Sequence, residues 1–514
     1  MKKHKIRQYI SLLYAILIIL VMPFYFEDGY FNLTFAKARF LWVTGGILLF
    51  AAFFSYIFEK IYYKVTDFHT ADVVENCKSF SAKIKDIKFS ILDIAMVLFL
   101  CSVVFSGLVS KTPKEAFWGS RGWYMGIFTI AILVSMYFVV SRNFEYHKYL
   151  GIIIVVSSVI LYVMGILNSF HVDVFGLHQR ITNDFYDYIS TIGNVNWYVG
   201  YLSMIVPMGC IAFLGMKKLP ARLLMLIFID LGFYNVIICR SNGIILGLAA
   251  AFFIITLYVI LQGELWKDYL ILILNFGIVL GIVSFIYKFY TGAYVKIDNI
   301  FMYIVENHLW IICGGGVLLI LAIPFCAKKT RKNLEENHVL SNKLESNKKN
   351  RTYSAFIFSI FSAMTGLSVL LYQISIFSEK WGTKRGALWI YTCELFAEFP
   401  WTYKLFGCGC DCFGVEFISE NYNYLHQRYL NAHNEFLQYL ITTGIFGLIS
   451  FSLIWIAVGI MFIYKKSKSR TDWILFTGIM GYLGQSIVNN PQAYNYAVLF
   501  LLLAFFGKSY RENV

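Results

Sequence analysis

The sequence of 514 residues contains little charge for its length. Asp, Glu, Lys and Arg make up 14% of the chain, whereas 59% of the residues are hydrophobic and 18% are aromatic. A soluble domain usually carries about 25% charged residues. The charges lie in short clusters between apolar runs of roughly 18 to 25 residues, long enough to cross a bilayer as helices. The sequence therefore predicts an all-α, polytopic integral membrane protein.

Nucleotide-binding and metal-binding motifs are also missing. No G-x-x-x-x-G-K-[ST] segment occurs, so ATP is not expected to drive the activity. The ten cysteines form no clear framework apart from Cys408, Cys410 and Cys412 in GCGCDC, with Cys393 upstream. These spacings lack the C-x2-C pairs typical of zinc sites, so a disulfide or free thiols is the favoured interpretation. We predict neither a metal nor another cofactor.

Most of the net charge of +14 lies in loops that the predicted topology places in the cytoplasm. This charge is therefore not interpreted as a sign of nucleic-acid binding. The basic flank at residues 1–7 precedes a long apolar run without a small-residue cleavage site, so this run is predicted to remain as the first membrane helix. Apolar runs predict about 12–14 transmembrane helices, at 9–28, 38–58, 89–109, 123–141, 148–170, 196–216, 222–239, 242–262, 268–288, 307–327, 353–377, 436–464, 472–489 and 492–507.

The basic loops indicate the orientation. If the N-terminus is cytoplasmic, the Lys- and Arg-rich segments at 217–222, 328–351 and 465–470 all fall on the cytoplasmic side, as the positive-inside rule requires. We therefore predict a multi-pass protein of the cytoplasmic (inner or plasma) membrane with both termini in the cytoplasm.

The organisation along the chain follows from this topology. Residues 1–114 are predicted to form N-terminal membrane helices with a cytoplasmic loop at 59–88, and residues 115–514 a membrane core. The core includes a large extracytoplasmic loop at 378–432, just before a helix that starts near residue 434. A second outer loop runs from about 171 to 195. Long loops in compact proteins tend to be functional.

The longer outer loop contains a candidate functional cation. Residues 384–398 show a helical pattern that Pro400 ends. Arg385 would lie at the N-terminal end of this helix, where the positive end of the macrodipole disfavours a cation. A charged residue that lowers local stability in this way is an indication of function. A surface cation is the alternative.

The segment NAHNEF contains the candidate base. Asn431 is predicted as an N-cap, which would place His433 and Asn434 in the first turn of the membrane helix. Free N–H groups and the positive end of the dipole suit phosphate there. The dipole also disfavours a protonated imidazole, so His433 is predicted to be neutral and able to accept a proton. A structural role for this histidine is the alternative.

Further arginines are predicted at the same membrane face. Arg121 lies in FWGSRGW, Arg180 in LHQRITNDF and Arg240 in ICRSNG. An arginine at the edge of the apolar region needs an anion or a hydrogen-bond partner, and its planar fork suits phosphate. Several arginines with one histidine predict a site for a diphosphate, whereas snorkelling at helix ends is the alternative for each one.

One stretch resembles a known family. His433 and Asn434, nine further residues, then Gly444 and Gly447 are similar to the H-[N/S/Q]-x9-G-x-x-G signature of O-antigen ligases, a superfamily shared with Wzy-type O-antigen polymerases. The position after the second glycine is usually Gly, Thr or Tyr in that signature, and here it is Leu448. The segments KRGALW…FPWTYKLFGCG, GNVNWYVGYL and CRSNGIILGL also resemble family segments, so the resemblance covers roughly 115–500.

The resemblance implies a chemistry and a role for each candidate residue. In this family a glycan on undecaprenyl diphosphate is transferred to a glycan or lipid acceptor at the outer face of the membrane, without ATP or metal. The expected partners are this lipid-linked donor, the acceptor, membrane lipids and other polysaccharide assembly proteins. The implied roles are base or acceptor-orienting group for His433, diphosphate binding for Arg385, Arg240, Arg121, Arg180 and Asn434, and close helix packing for Gly444 and Gly447.

Three alternatives stay open at this point. The sequence does not separate a ligase from a polymerase. A transporter or flippase would use intramembrane ionisable residues, for which Asp93 and Asp230 are candidates. A cell-wall elongase of the rod-shape type would instead use an outer-loop aspartate as its base, and Asp411 is the candidate.

Overall fold

The computed structural model describes residues 5–67, 89–181, 187–239, 241–289, 303–304, 340–417 and 429–511. The helices α1 to α8 are Lys5–Ile16, Leu33–Asp67, Ile91–Val109, Pro113–Trp118, Ile127–Asn143, Lys148–Ser169, Val195–Phe213 and Leu219–Ile238. The helices α9 to α16 are Gly243–Gln262, Trp266–Phe289, Leu340–Ser375, Trp381–Glu398, Trp401–Phe406, Glu435–Tyr464, Arg470–Ser486 and Ala493–Arg511. A short antiparallel hairpin joins β1 (Tyr188–Ile189) to β2 (Gly193–Asn194).

The described residues confirm an all-α, polytopic membrane architecture. Ten helices within them are long and apolar enough to cross a membrane. The helix α1 is one of these because it continues through a π-helix at Leu17–Val21 and a 3-10 turn at Met22–Phe24. Every predicted apolar run is helical except the run at 307–327, which lies outside the described residues.

Local sequence signals set several helix starts. Ser90 and Asp93 form a capping box at the start of α3, in which each side chain accepts the other residue's backbone N–H. Asn194 caps α7 by accepting the N–H of Asn196 at 2.9 Å. Pro220 occupies the first turn of α8, where a missing N–H has no consequence. The predicted helix at 384–398 is confirmed as α12.

The chain divides into two compact units. Unit 1 comprises residues 1–157, 388–468 and 487–514. In it α3 packs on α14, and α5 packs on α16 and α2. Phe99, Tyr439 and Phe451 form an aromatic cluster with ring centroids 4.5–5.8 Å apart. Offset and edge-on ring contacts of this kind add stability beyond the area that they bury.

Unit 2 comprises residues 158–387 and 469–486, and α15 packs there against both α7 and α9. Gly481 and Gly484 lie on α15 three residues apart, and a Cβ at either position would meet the backbone oxygens of Ser203 on α7 or Leu246 on α9. Small residues allow membrane helices to approach this closely. The predicted domain boundary near residue 114 stays a prediction.

Candidate functional site

His433 lies immediately before α14, outside the helix. The side chain of Asn434 accepts the N–H groups of Phe436 and Leu437 at 3.0 and 3.1 Å, so Asn434 is the N-cap. The prediction that Asn431 caps this helix is wrong. The side chain of Asn431 instead accepts the N–H of His433 itself at 3.1 Å. Both residues are good caps, and this local turn places the cap three residues later than the sequence pattern indicated.

The backbone at His433 is held in an unusual conformation. Its φ is +48°, in the left-handed region that residues with a Cβ rarely adopt. Such a residue costs about 1–3 kcal/mol and persists only when its surroundings hold it, which happens often at functional sites. The strain therefore supports, from a second direction, the prediction that His433 has a functional role.

Three hydrogen bonds hold the imidazole of His433 and the residue before it. The N–H of Ala432 donates to Oε1 of Gln438 at 2.9 Å, and the indole of Trp389 donates to the carbonyl oxygen of Ala432 at 3.0 Å. The third joins the imidazole to the segment between α15 and α16, where the amide nitrogen of Asn490 lies 3.2 Å from Nδ1 of His433. The ring and the peptide before it are thus held from separate parts of the chain.

The glycine motif breaks α14. Gly444 has φ +70° and ψ −170°, a conformation essentially restricted to glycine, and the helix kinks there. The freed carbonyls of Ile441 and Thr442 accept hydrogen bonds from the N–H groups of Cys408 and Gly409, each at 3.1 Å. The segment after α13 is therefore bonded, backbone to backbone, to the break in α14.

The two motif glycines meet different neighbours. A Cβ at Gly444 would collide with the backbone of Leu405 and Phe406 at the end of α13. A Cβ at Gly447 would collide with the side chain of Thr443, one turn earlier on the same helix. Gly444 thus allows close approach of a second backbone, whereas Gly447 leaves room for a side chain of its own helix.

Arg385 is a half-buried cation on α12. It lies four residues before Trp389 and so on the same face of that helix. Within the described ranges it forms neither an ion pair nor a hydrogen bond through its side chain. Burial lowers the pKa of the Arg385 guanidinium from its usual value. A desolvated guanidinium without a counter-ion is suited to binding an anion.

The positions of the other three predicted arginines do not by themselves indicate a binding role. Arg121 is exposed in the loop after α4, and Arg180 is exposed in the turn after α6. Arg240 lies outside the described residues. Its neighbour Ser241 donates to Oδ1 of Asn196 at 2.6 Å, so the two segments GNVNW and CRSNG, predicted to be functional, meet in unit 2.

Asp411 has a structural environment. Its Oδ2 accepts the backbone N–H groups of Ser120 and Met125 at 2.8 and 3.0 Å, and the hydroxyl of Ser120 donates to its carbonyl oxygen. Burial raises the pKa of this carboxyl to about 7, although the two backbone hydrogen bonds oppose the shift. The carboxylate therefore joins the loop after α13 to the loop after α4. This role accounts for Asp411 without catalysis.

The neighbouring cysteines are thiols. Cys408, Cys410 and Cys412 are buried and free, and Cys393 is exposed and free. The thiol of Cys410 lies 3.3 Å from the carbonyl oxygen of Met125, to which it donates. No cluster of metal-ligating side chains occurs among the residues that the structure describes.

The two acidic residues named as candidates for a transport pathway, Asp93 and Asp230, both form hydrogen bonds. Asp93 lies in the first turn of α3, where it accepts from Tyr137 at 2.8 Å and pairs with Arg511 at 2.6 Å. Asp230 on α8 accepts a hydrogen bond from the amide of Asn275 on α10. These contacts give Asp93 a structural role in joining three helices.

Several residues of the site were not found from the sequence. Asn490 hydrogen-bonds to the ring of His433 but lies 57 residues further along the chain. Gln438 hydrogen-bonds to the N–H of Ala432 but lies inside the apolar run at 436–464. A buried chain also runs from Tyr439 through the hydroxyl of Tyr496 to Oε2 of Glu435, at 3.0 and 2.7 Å. The signal that could have indicated Asn490 is the polar segment NNPQ between two apolar runs.

Comparison with models of known protein families gives a match. Residues 223–452 match the family described as O-Antigen ligase, a range that runs from α8 into α14 and includes Arg240, Arg385 and His433. Arg121, Arg180 and Asn490 lie outside it. No curated protein matches the chain. The resemblance to O-antigen ligases seen in the sequence is therefore confirmed over this range.

Proposed function

We propose that this protein transfers or polymerises an oligosaccharide carried on undecaprenyl diphosphate at the outer face of the cytoplasmic membrane. The family has activity of the O-antigen ligase or polymerase type, which is a glycosyl transfer from a lipid-linked donor to a glycan acceptor. The lipid carrier, the membrane, the cytoplasmic placement of both termini and the outer placement of residues 378–432 are part of the proposal. They rest on the distribution of basic loops and on the family chemistry.

The observation that carries the proposal is the conformation of His433. Hydrogen bonds to its N–H and to its ring hold His433 at positive φ, next to the capped N-terminus of α14. A residue held in this way is pre-organised for contact with a substrate. The same residue opens the family signature.

The chemistry needs few protein groups. An acceptor hydroxyl attacks the anomeric carbon, the bond from that carbon to the phosphate oxygen breaks, and the lipid diphosphate leaves with the bonding electrons. His433 takes the role of base or acceptor-orienting group. Arg385, a guanidinium without a counter-ion among the described residues, stabilises the diphosphate. Arg240, Arg121, Arg180 and Asn434 are proposed to assist in binding it.

The test is an assay of the purified protein in detergent with an undecaprenyl-diphosphate oligosaccharide. We expect His433→Ala to lower the rate about 10²–10⁴-fold and Arg385→Ala about 10²–10³-fold. The matched controls are His147→Ala, at an exposed loop position, and Arg39→Ala, at a half-exposed arginine paired with Glu27. Wild-type rates in both active-site variants would refute the assignment of these residues.

The same assay separates the candidate functions. Chain elongation without an added acceptor indicates a polymerase, and product formed only with a separate acceptor indicates a ligase. Conversion by detergent-solubilised protein, which has no gradient, excludes a pure flippase, whereas lipid movement in vesicles without conversion would indicate one. Loss of conversion in Asp411→Asn with full conversion in His433→Ala would favour the elongase interpretation.

A further inference from the structure

The connection between α15 and α16 contains a dense group of buried amides. Asn489, Asn490 and Gln492 are 2%, 4% and 3% exposed, and Pro491 lies among them. The N–H of Asn490 donates to Oδ1 of Asn489 at 2.9 Å, and the N–H of Tyr494 donates to Oε1 of Gln492 at 2.9 Å. Buried polar side chains are costly in a membrane protein and usually have a function. The side chains of Asn489 and Gln492 thus bind the backbone of their own segment.

Asn490 differs from these two residues. Within the described part of the chain, the only hydrogen-bond partner of its side chain is the imidazole of His433, and its amide oxygen has none. The contact joins residues 57 positions apart and lies within unit 1. Among the described residues, the side chain of Asn490 therefore hydrogen-bonds to His433 alone.

The chemistry of the contact sets the tautomer of the ring. An amide nitrogen can donate a hydrogen bond but cannot accept one. The amide nitrogen of Asn490 lies 3.2 Å from Nδ1 of His433, and a hydrogen bond in this amide orientation requires an Nδ1 that accepts and carries no proton. The proton of the neutral ring is then on Nε2. A proton on Nδ1 would face the amide N–H, so the contact also disfavours the imidazolium.

We propose that Asn490 is a positioning residue that holds His433 in the Nε2–H tautomer, so that His433 acts as a hydrogen-bond donor and not as a general base. This inference rests on the proposed function and selects one of the two roles left open for His433 there. The Nε2–H group then orients an oxygen of the bound substrate. The proton of the acceptor hydroxyl passes to a phosphate oxygen of the departing diphosphate.

The first test reads the tautomer directly. In protein labelled with ¹⁵N-histidine, the resonances that disappear in His433→Gln belong to His433. We expect them to show an unprotonated Nδ1 and a protonated Nε2 in the wild type near neutral pH. A protonated Nδ1 in that spectrum overturns the proposal, whether or not any variant folds.

The second test uses Asn490→Asp, which keeps the shape of the side chain but replaces the donor by an acceptor. The carboxylate should draw the proton to Nδ1, leave Nε2 as a bare acceptor, and lower kcat at least tenfold while the KM for the lipid-linked donor changes less than twofold. Asn143→Asp, at the end of α5, makes the same charge change and should retain the wild-type rate.

The outcome for Asn490→Asp distinguishes the two roles of His433. If His433 were a general base, an aspartate at Nδ1 would support it, and the rate would stay equal or rise. That result overturns the positioning role. The proposed function fails separately, if the wild type lacks transferase activity or if His433→Ala retains it.

Discussion

Replacement of Gly444 by alanine is the sharpest structural test of the kink in α14. Gly444 has φ +70° and ψ −170°, and the backbone of Leu405 and Phe406 occupies the space into which a Cβ would project. The added methyl group must therefore change the backbone angles or push α13 away. Either movement strains the hydrogen bonds from Cys408 and Gly409 to α14.

The magnitude follows from these two effects. A residue with a Cβ in this region of φ and ψ costs about 1–3 kcal/mol. Loss of the two backbone hydrogen bonds adds about 0.5–1.5 kcal/mol for each one. We therefore expect Gly444→Ala to destabilise the protein by about 2–6 kcal/mol.

The assay is the thermal unfolding of purified protein in a fixed detergent. The matched control is Gly459→Ala on the same helix, where a Cβ meets nothing within 4 Å. An alanine in a helix interior is about 0.5–1 kcal/mol more favourable than glycine, so the control should unfold at the same or a higher temperature. Equal stability of the two variants would refute the account of the kink.

Two further predictions concern buried hydrogen bonds near the site. Because the pKa of Asp411 is about 7 in the folded protein and 3.8 in the free side chain, the folded state binds more protons between these values, and this group lowers stability by about 1.4 kcal/mol per pH unit as pH rises. The unfolding temperature of Asp411→Asn minus that of the wild type should therefore increase from pH 5 to pH 7. A temperature difference that is constant over this range would contradict the prediction. Tyr496→Phe removes the donor to the buried Glu435 and should destabilise the protein by about 1.5–3 kcal/mol in denaturation. The control Tyr464→Phe, at an exposed hydroxyl, should be neutral, and equal losses in both would contradict the role of the buried bond.

The membrane helices could be predicted from the sequence because hydrophobic length determines them. Runs such as 196–216 and 436–464 appear as α7 and α14 with ends shifted by a few residues. The start of the membrane helix near residue 434 and the amphipathic α12 were also predictable, since both depend on local pattern. Long-range packing contributes little to these features.

The details of the site depend on contacts that local patterns do not contain. Asn431 and Asn434 have equal propensity to cap a helix, and the contact of Ala432 with Gln438 helps to select the later one. The kink at Gly444 is invisible to hydropathy because the apolar run continues through it. Asn490 lies 57 residues beyond His433, and pairing across that distance is a property of the fold.

The later helix start also explains how a strained residue persists at the site. Had Asn431 capped α14, His433 would have been helical and its ring would have followed the rotamers of a helix. With Asn434 as the cap, the peptide before His433 is free to turn. The hydrogen bonds that this segment makes with Asn431, Trp389 and Asn490 offset a strain of about 1–3 kcal/mol. None of these bonds involves a substrate. If His433 contacts the substrate as proposed, its imidazole is therefore oriented before the ligand arrives, and binding need not supply the free energy to position it.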